Sequence, residues 1–171
     1  MEEHEPTTLR VGITIYPYHE AAIEQVLARL AESCPTHFIL LADTSGQLIT
    51  IHGNRGSIDP TSLASLVAGD LVASKEIARM TGQYQACQLI MREGKDINTF
   101  IAEIGRYLAL FVQVASNVPL GWARLLILDA SQKINTIIST PPPRFNKVDL
   151  GLEDVSVSNA VDDALSDLWK T

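Results

Sequence analysis

The chain has 171 residues, 46% of them hydrophobic, with a formal net charge of -7 and a pI near 5.0. That length suits one domain with extensions, and the apolar content suffices for one core. The acidity argues against a nucleic-acid surface or an anionic membrane as partner, and no apolar run approaches the roughly 18–20 residues of a membrane span.

The opening MEEHEPTTLR is acidic and lacks the basic-then-apolar layout of a signal peptide. Residues 1–18 read as an N-terminal arm. Within it 9–16, LRVGITIY, alternate well enough for an edge strand, with plain arm as the other reading, and Pro17 ends the run. A first helix from about His19 to Ser33 follows from Ile23, Val26, Leu27 and Leu30 at i, i+3, i+4 and i+7, and Pro35 stops it. Two short strands, HFILLAD (37–43) and QLITIHG (47–53), flank the turn Thr44-Ser45-Gly46. Unbroken apolar character from Phe38 to Ala42 predicts a central strand covered on both faces.

The stretch Asp59–Gly82 predicts a long central helix, capped by Asp59, opened by Pro60 and ended by Gly82. At about 100° per residue, Leu66, Ile77, Leu63, Val67, Ala78, Leu71 and Ala64 share an arc of roughly 160°. One surface needs only about 100°. The excess predicts a helix that packs on its own sheet with one flank and on a second helix with the other. Asp70 and Ser74, in the middle of the arc, would then bond across that seam; the alternative is a core helix whose Asp70 bonds locally or reaches water. The outward arc of Ser65, Ala68, Gly69, Val72, Lys75, Glu76 and Arg79 is small and apolar in its middle and charged at one end. It suits a docking surface or an ordinary solvated face.

QYQACQLIMR (83–92) alternates, and its polar side is glutamine-rich rather than charged, which makes it a candidate strand for pairing across subunits. INTFIAEI (97–104) and YLALFVQVAS (107–116) flank Gly105-Arg106, a two-residue loop of the type II′ kind. Residues 119–138 read as a last helix with Ala123, Leu126, Ala130, Ile134 and Ile137 on one face. Pro141 opens a tail, 141–171, with three basic and six acidic residues. Val157, Val161, Leu165, Leu168 and Trp169 within it have helical spacing, either a short amphipathic helix or chance periodicity in a disordered acidic tail.

No catalytic constellation emerges. His4, His19, His37 and His52 are scattered, Cys34 and Cys87 form neither a disulfide framework nor a zinc pattern, and GNRG (53–56) lacks the Lys-Ser/Thr of a phosphate loop. The expectation is a non-enzymatic protein with no metal and no cofactor, in a reducing cytoplasm.

The order of helix, two strands, central helix, three strands and helix makes a three-layer α/β sandwich with five antiparallel strands. Together with LLADTSGQLIT, SLASLVAGDLVASKEIARMTG and FIAEIGRYLALFVQVASNVPLGWARLLILDASQKI, it resembles the roadblock family. That family includes the dynein light chain roadblock and bacterial relatives such as the partner of the Ras-like motility GTPase. The resemblance covers roughly Ala22–Ile138 and includes the D-x-x-G turn Asp43–Gly46 and the N-x-x-L-G entry Asn117–Gly121. It implies a profilin-like domain over 19–140, with the central helix on one face of the sheet and the terminal helices on the other. It also implies a homodimer or heterodimer through the central helix and the strand after it. On these residues the interface is Leu63, Val67, Asp70, Leu71 and Ser74 with Gln85, Ala86, Gln88 and Ile90. The implied function is to bind a small Ras-like GTPase, as regulator or scaffold, and to stimulate its GTP hydrolysis. Such partners hold the GTPase's own switch residues in place; an arginine finger would fall to Arg55 or Arg79. Two other readings are a profilin-like small-ligand sensor and an assembly subunit that binds a peptide.

Overall fold

A computed structural model describes residues 6–82 and 89–141 of the chain. His4, Cys87, the expected strand residues 83–88 and the tail from 142 on lie outside the described residues. The interface candidates Gln85, Ala86 and Gln88 therefore fall outside, and of the expected 83–92 strand only its end, with Ile90, is inside.

The elements are β1 (Thr7–Thr8), β2 (Thr14–Ile15), α1 (Pro17–Ser33), β3 (Thr36–Asp43), β4 (Leu48–Gly53), α2 (Pro60–Met80), β5 (Leu89–Arg92), β6 (Ile97–Ile104), β7 (Leu108–Ala115) and α3 (Leu120–Ser139). β3 to β7 form one antiparallel sheet in the order β4-β3-β7-β6-β5. The expected edge strand at 9–16 is corrected. Of that run only Thr14–Ile15 forms a strand, and it pairs with Thr7–Thr8 in a separate two-stranded hairpin. Gly12, at φ +86, and the Leu9 N–H to Ile13 carbonyl bond of 2.7 Å turn the chain back between them. Leu9 and Ile15 still plug the core.

The strand alternation explains the layers. On β3, Phe38, Leu40 and Ala42 join Ala64, Val67 and Leu71 of α2, with Ile101, Ala109 and Phe111 from the sheet. Ile39 and Leu41 point the other way, onto Ile23, Leu27 and Leu30 of α1 and Ala123, Ile127, Ala130 and Ile134 of α3. Both faces are apolar because both are covered, as the unbroken Phe38–Ala42 run requires. The architecture is a three-layer α-β-α sandwich with α2 alone on one face and the terminal helices on the other.

Three local details differ from expectation. Pro17 does end the preceding run, but as the first residue of α1, two residues ahead of the expected start. The β6–β7 loop has three residues, because Ile104 pairs with Leu108 and the Tyr107 carbonyl is drawn away to accept the Thr44 N–H at 2.8 Å. On α3 the most buried face is Ala123, Ile127, Ala130, Ser131 and Ile134; Leu126 and Ile137 are half-buried at its flank.

The β3–β4 turn locks α2 to the sheet. Asp43 is fully buried, and its Oδ1 accepts from Ser45 N–H (2.9 Å), the Ser45 hydroxyl (2.6 Å) and Gln47 N–H (2.8 Å). Gly46, at φ +88, sits so close to α2 that an added Cβ would lie 2.8 Å from Ser65 Cα. Gly46→Ala therefore meets both a left-handed backbone and a backbone clash. A loss on the order of 1–3 kcal/mol is expected in urea denaturation, and a loss below the error of that measurement would show that the turn is not seated on α2 as described.

Candidate interaction surface

Topology forces α2 to be long. The chain leaves β4 at one edge of the sheet and re-enters at β5, the other edge, so α2 must cross the whole sheet. Four strand spacings of ~4.8 Å make ~19 Å, whereas 21 helical residues at ~1.5 Å reach ~31 Å. The Asp59 carboxylate fixes the start, accepting from Ser62 N–H at 3.1 Å and from the Ser62 hydroxyl at 2.5 Å. The β3–β4 turn then holds Ser65, and an ion pair from Lys75 to Glu103 of β6 holds the far half.

The roll of the helix is fixed as well. Ala64, Val67, Ala68 and Leu71 are buried against the sheet. Asp70 reaches down to Arg92 of β5 in a two-pronged ion pair, Arg92 Nη1 to Oδ2 at 2.5 Å and Nη2 to Oδ1 at 2.8 Å. Hydrogen bonding from that guanidinium holds the Asp70 carboxyl below the usual carboxylate range, against partial desolvation, with the Ser74 hydroxyl adding to the effect. Asp70 is thus bonded within its own protomer, to β5.

With α2 seated this way, Leu66 is 70% exposed, Ile77 62% and Met80 74%. At about 100° per residue these three fall with Gly69 and Ala73 inside an arc of roughly 80°. The small residues leave the middle of the stripe low, and a Cβ built on Gly69 meets nothing within 4 Å. Beside the stripe, the outer edge of β5 has no strand partner among the described residues, and Met91 there is exposed.

The interface candidates sort clearly against this geometry. Val67 (2% exposed) and Leu71 (1%) belong to the protomer's own core and cannot face a second copy. Leu63, Asp70, Ser74 and Ile90 are half-buried along the flank between core and stripe. Leu66, Ala73, Ile77 and Met80 take the outward place; Leu66 and Ile77 lie in the 160° arc, and only the phase of the helix singles them out. Of the docking candidates, Ala68 is buried and drops out, and Lys75 is half-buried in its ion pair. Ser65, Gly69, Val72, Glu76 and Arg79 are exposed on the next flank. Arg79 is clamped by Glu76, with Nε to Oε2 at 2.9 Å and Nη2 to Oε1 at 2.5 Å, while Arg55 sits in the exposed loop after β4.

The histidines stay apart. His19 is buried at the start of α1, its Nδ1 accepting from Tyr16 N–H at 3.4 Å, and His52 meets Glu24 at 3.3 Å. Burial raises the thiol pKa of Cys34. Among the described residues no three His, Cys, Asp or Glu side chains gather as metal ligands, and no helix is long and apolar enough to cross a membrane.

No family profile matches the chain, and no curated protein matches it. Solved structures do. MglB of Myxococcus xanthus is 32% identical over 67% of this chain and 93% of its own, with a TM-score of 0.64. The gliding protein MglB of Thermus thermophilus is 22% identical, covering 79% and 98%, at 0.65. A Roadblock/LC7 domain of Streptomyces avermitilis shares the fold at 16% identity, covering 68% and 97%, at 0.60.

Two measurements probe this surface in the protomer. Leu71→Arg buries an unpaired charge under α2 and should cost the protomer roughly 3–5 kcal/mol, whereas Ile77→Glu should keep the native circular dichroism spectrum and lower the thermal midpoint only by what a lost subunit contact removes; equal loss of structure in the two variants would refute the assigned helix phase. The Asp70–Arg92 pair also has a pH signature. Because the folded carboxyl titrates below its unfolded value, its contribution is complete above the unfolded pKa and is lost as pH falls through the folded one. Arg92 is half-exposed, so the contribution is screened to about 0.5–1 kcal/mol. Asp70→Asn should flatten the acid limb of the stability profile by that amount, and an unaltered limb would remove the ion pair from the account.

Proposed function

The chain belongs to the roadblock family, and from that premise we propose that it works as a dimer that binds a small Ras-like GTPase, as regulator or scaffold rather than as an enzyme. The observation that carries the reading is the exposed stripe Leu66–Ala73–Ile77–Met80 beside the edge of β5, which has no strand partner among the described residues. Apolar side chains left this exposed in one row are what a second copy would cover. A two-fold axis near the low centre at Gly69 and Ala73 would let two α2 helices approach closely, the face being isologous as a two-fold contact must be. The half-buried Leu63, Ser74 and Ile90 would close the seam from the sheet side.

The neighbouring flank supports the docking half of the reading. Ser65, Val72, Glu76 and Arg79 lie side by side with the seam, so a dimer would present two such flanks on one surface. That surface mixes a bare apolar centre with a charged end, which favours a specific, reversible partner over a permanent one. Stimulation of GTP hydrolysis, in this reading, comes from holding the GTPase's switch segments. A Ras-like partner places the protein in the cytoplasm.

Light scattering decides the geometry first. The full chain should run at twice its 18.7 kDa, and Leu66→Glu with Ile77→Glu should give a folded monomer. A purified Ras-like GTPase loaded with a non-hydrolysable GTP analogue should then be retained by the wild type and lost with Val72→Glu. A wild-type monomer removes the seam. A dimer indifferent to the nucleotide state, with phosphate release unchanged, leaves an assembly subunit and rejects the regulator.

A further inference from the structure

The sheet has a second edge. β4 ends it on the side opposite β5 and has no outer strand partner among the described residues. The arm reaches the Gln47 side chain just ahead of β4, where the Arg10 N–H donates at 3.0 Å, and adds no strand there. Ladder alternation says which groups of β4 point outward. Asn54 N–H donates to the His37 carbonyl at 3.1 Å, and Ile39 lies opposite His52. Counting back by twos, His52 and Thr50 face β3, so Ile51 turns its N–H and C=O away from the sheet.

An edge of this kind can template another strand, and natural sheets blunt it with charge or proline. β4, LITIHG, carries neither lysine, arginine, carboxylate nor proline. The register shift at Leu41/Ala42 distorts only its beginning. Both core layers also run out here. Leu48 and Ile51 join the α2 layer and Ile49 the α1/α3 layer, yet every residue from Leu48 to His52 stays half-buried.

Charge and symmetry select the occupant. Two chains of net -7 repel one another, so copies can meet only where neither brings unpaired charge. Between Gln47 and Asn54 the single titratable side chain is His52, whose Nδ1 already meets Glu24 at 3.3 Å. A two-fold axis at Ile51 pairs this strip with itself. Ile51 exchanges both main-chain bonds with its twin, and Thr50 falls opposite His52 on either side.

We propose that the β4 edge pairs antiparallel, about Ile51, with the β4 edge of a second copy. The contact is independent of the α2 seam. It is small, so it forms at roughly 0.1–1 mM, whereas the seam holds in dilute solution. Where the proposed seam is also made, each dimer keeps two β4 edges, and dimers join in open rows.

The test uses the full chain with Leu66→Glu and Ile77→Glu, which removes the seam, followed by sedimentation and amide hydrogen exchange from about 0.01 to 1 mM. Its mass should rise from one to two times 18.7 kDa and stop there, while exchange of the Ile51 amide slows several-fold. The wild type should pass four times 18.7 kDa over the same range; a wild type that also stops at twice rejects the seam and leaves the β4 contact standing. Thr50→Lys guards the edge with a charge, and Ile51→Pro removes the outward N–H without breaking a bond to β3. Each should hold the seam-free chain at one; if Ile51→Pro fails to fold, Thr50→Lys decides alone. A seam-free chain that stays monomeric throughout, or a rise that Thr50→Lys leaves intact, would overturn the proposal. So would an Ile51 amide protected at every concentration, which gives the edge to another part of the same chain, or one protected only when a Ras-like GTPase is added, which gives it to that partner.

Discussion

Helix α2 carries two apolar faces, and the sheet can cover only one of them. The remaining features of the surface follow from that imbalance. The chain must pass from one edge strand to the other, so the helix is longer than the sheet is wide. It is also alone on its face, whereas α1 and α3 share the opposite side and cover each other's flanks. A long, lone helix with Leu66, Ile77 and Met80 outward is costly to leave in water. The residues between them, Gly69 and Ala73, are those that allow another backbone to come near.

What holds the helix at that roll is one close approach of backbones and two polar ties. Ser65 is trapped by the β3–β4 turn, Asp70 by Arg92 and Lys75 by Glu103. Individually such exposed or half-exposed pairs contribute little. Their importance here is geometric: three tethers on three different strands or turns admit one phase of the helix. The turn that supplies the first tether is itself organised by a buried carboxylate, Asp43, whose Oδ1 takes three hydrogen bonds.

Most of the fold was legible because it rests on local chemistry. Phe38–Ala42 could only be a strand buried on both sides, and Asp59-Pro60 could only open a helix. The phase of α2 was not legible, for a simple reason. Leu66 and Val67 are adjacent, equally apolar and ~100° apart; nothing within the helix says which faces the sheet. Val67 and Leu71 lie in the core in the phase that also lets Asp70 and Lys75 reach strands distant in sequence. The same limit explains the β6–β7 turn. Tyr107 fits the strand pattern locally, but its carbonyl is taken by Thr44, so the turn gains a residue.

Asp70 shows how a residue read as anomalous in the sequence can find its partner within the protomer. A carboxylate inside an apolar arc needs a partner, and a partner across a subunit seam was one solution. The protomer supplies its own in Arg92, on the very strand whose open edge lies next to the stripe. That choice changes what the seam is made of. With Asp70 and Lys75 both neutralised within the protomer, the surface left to a second copy is apolar and small at its centre, with its charges already paired. Such a surface needs no complementary charge from its partner, so like can meet like.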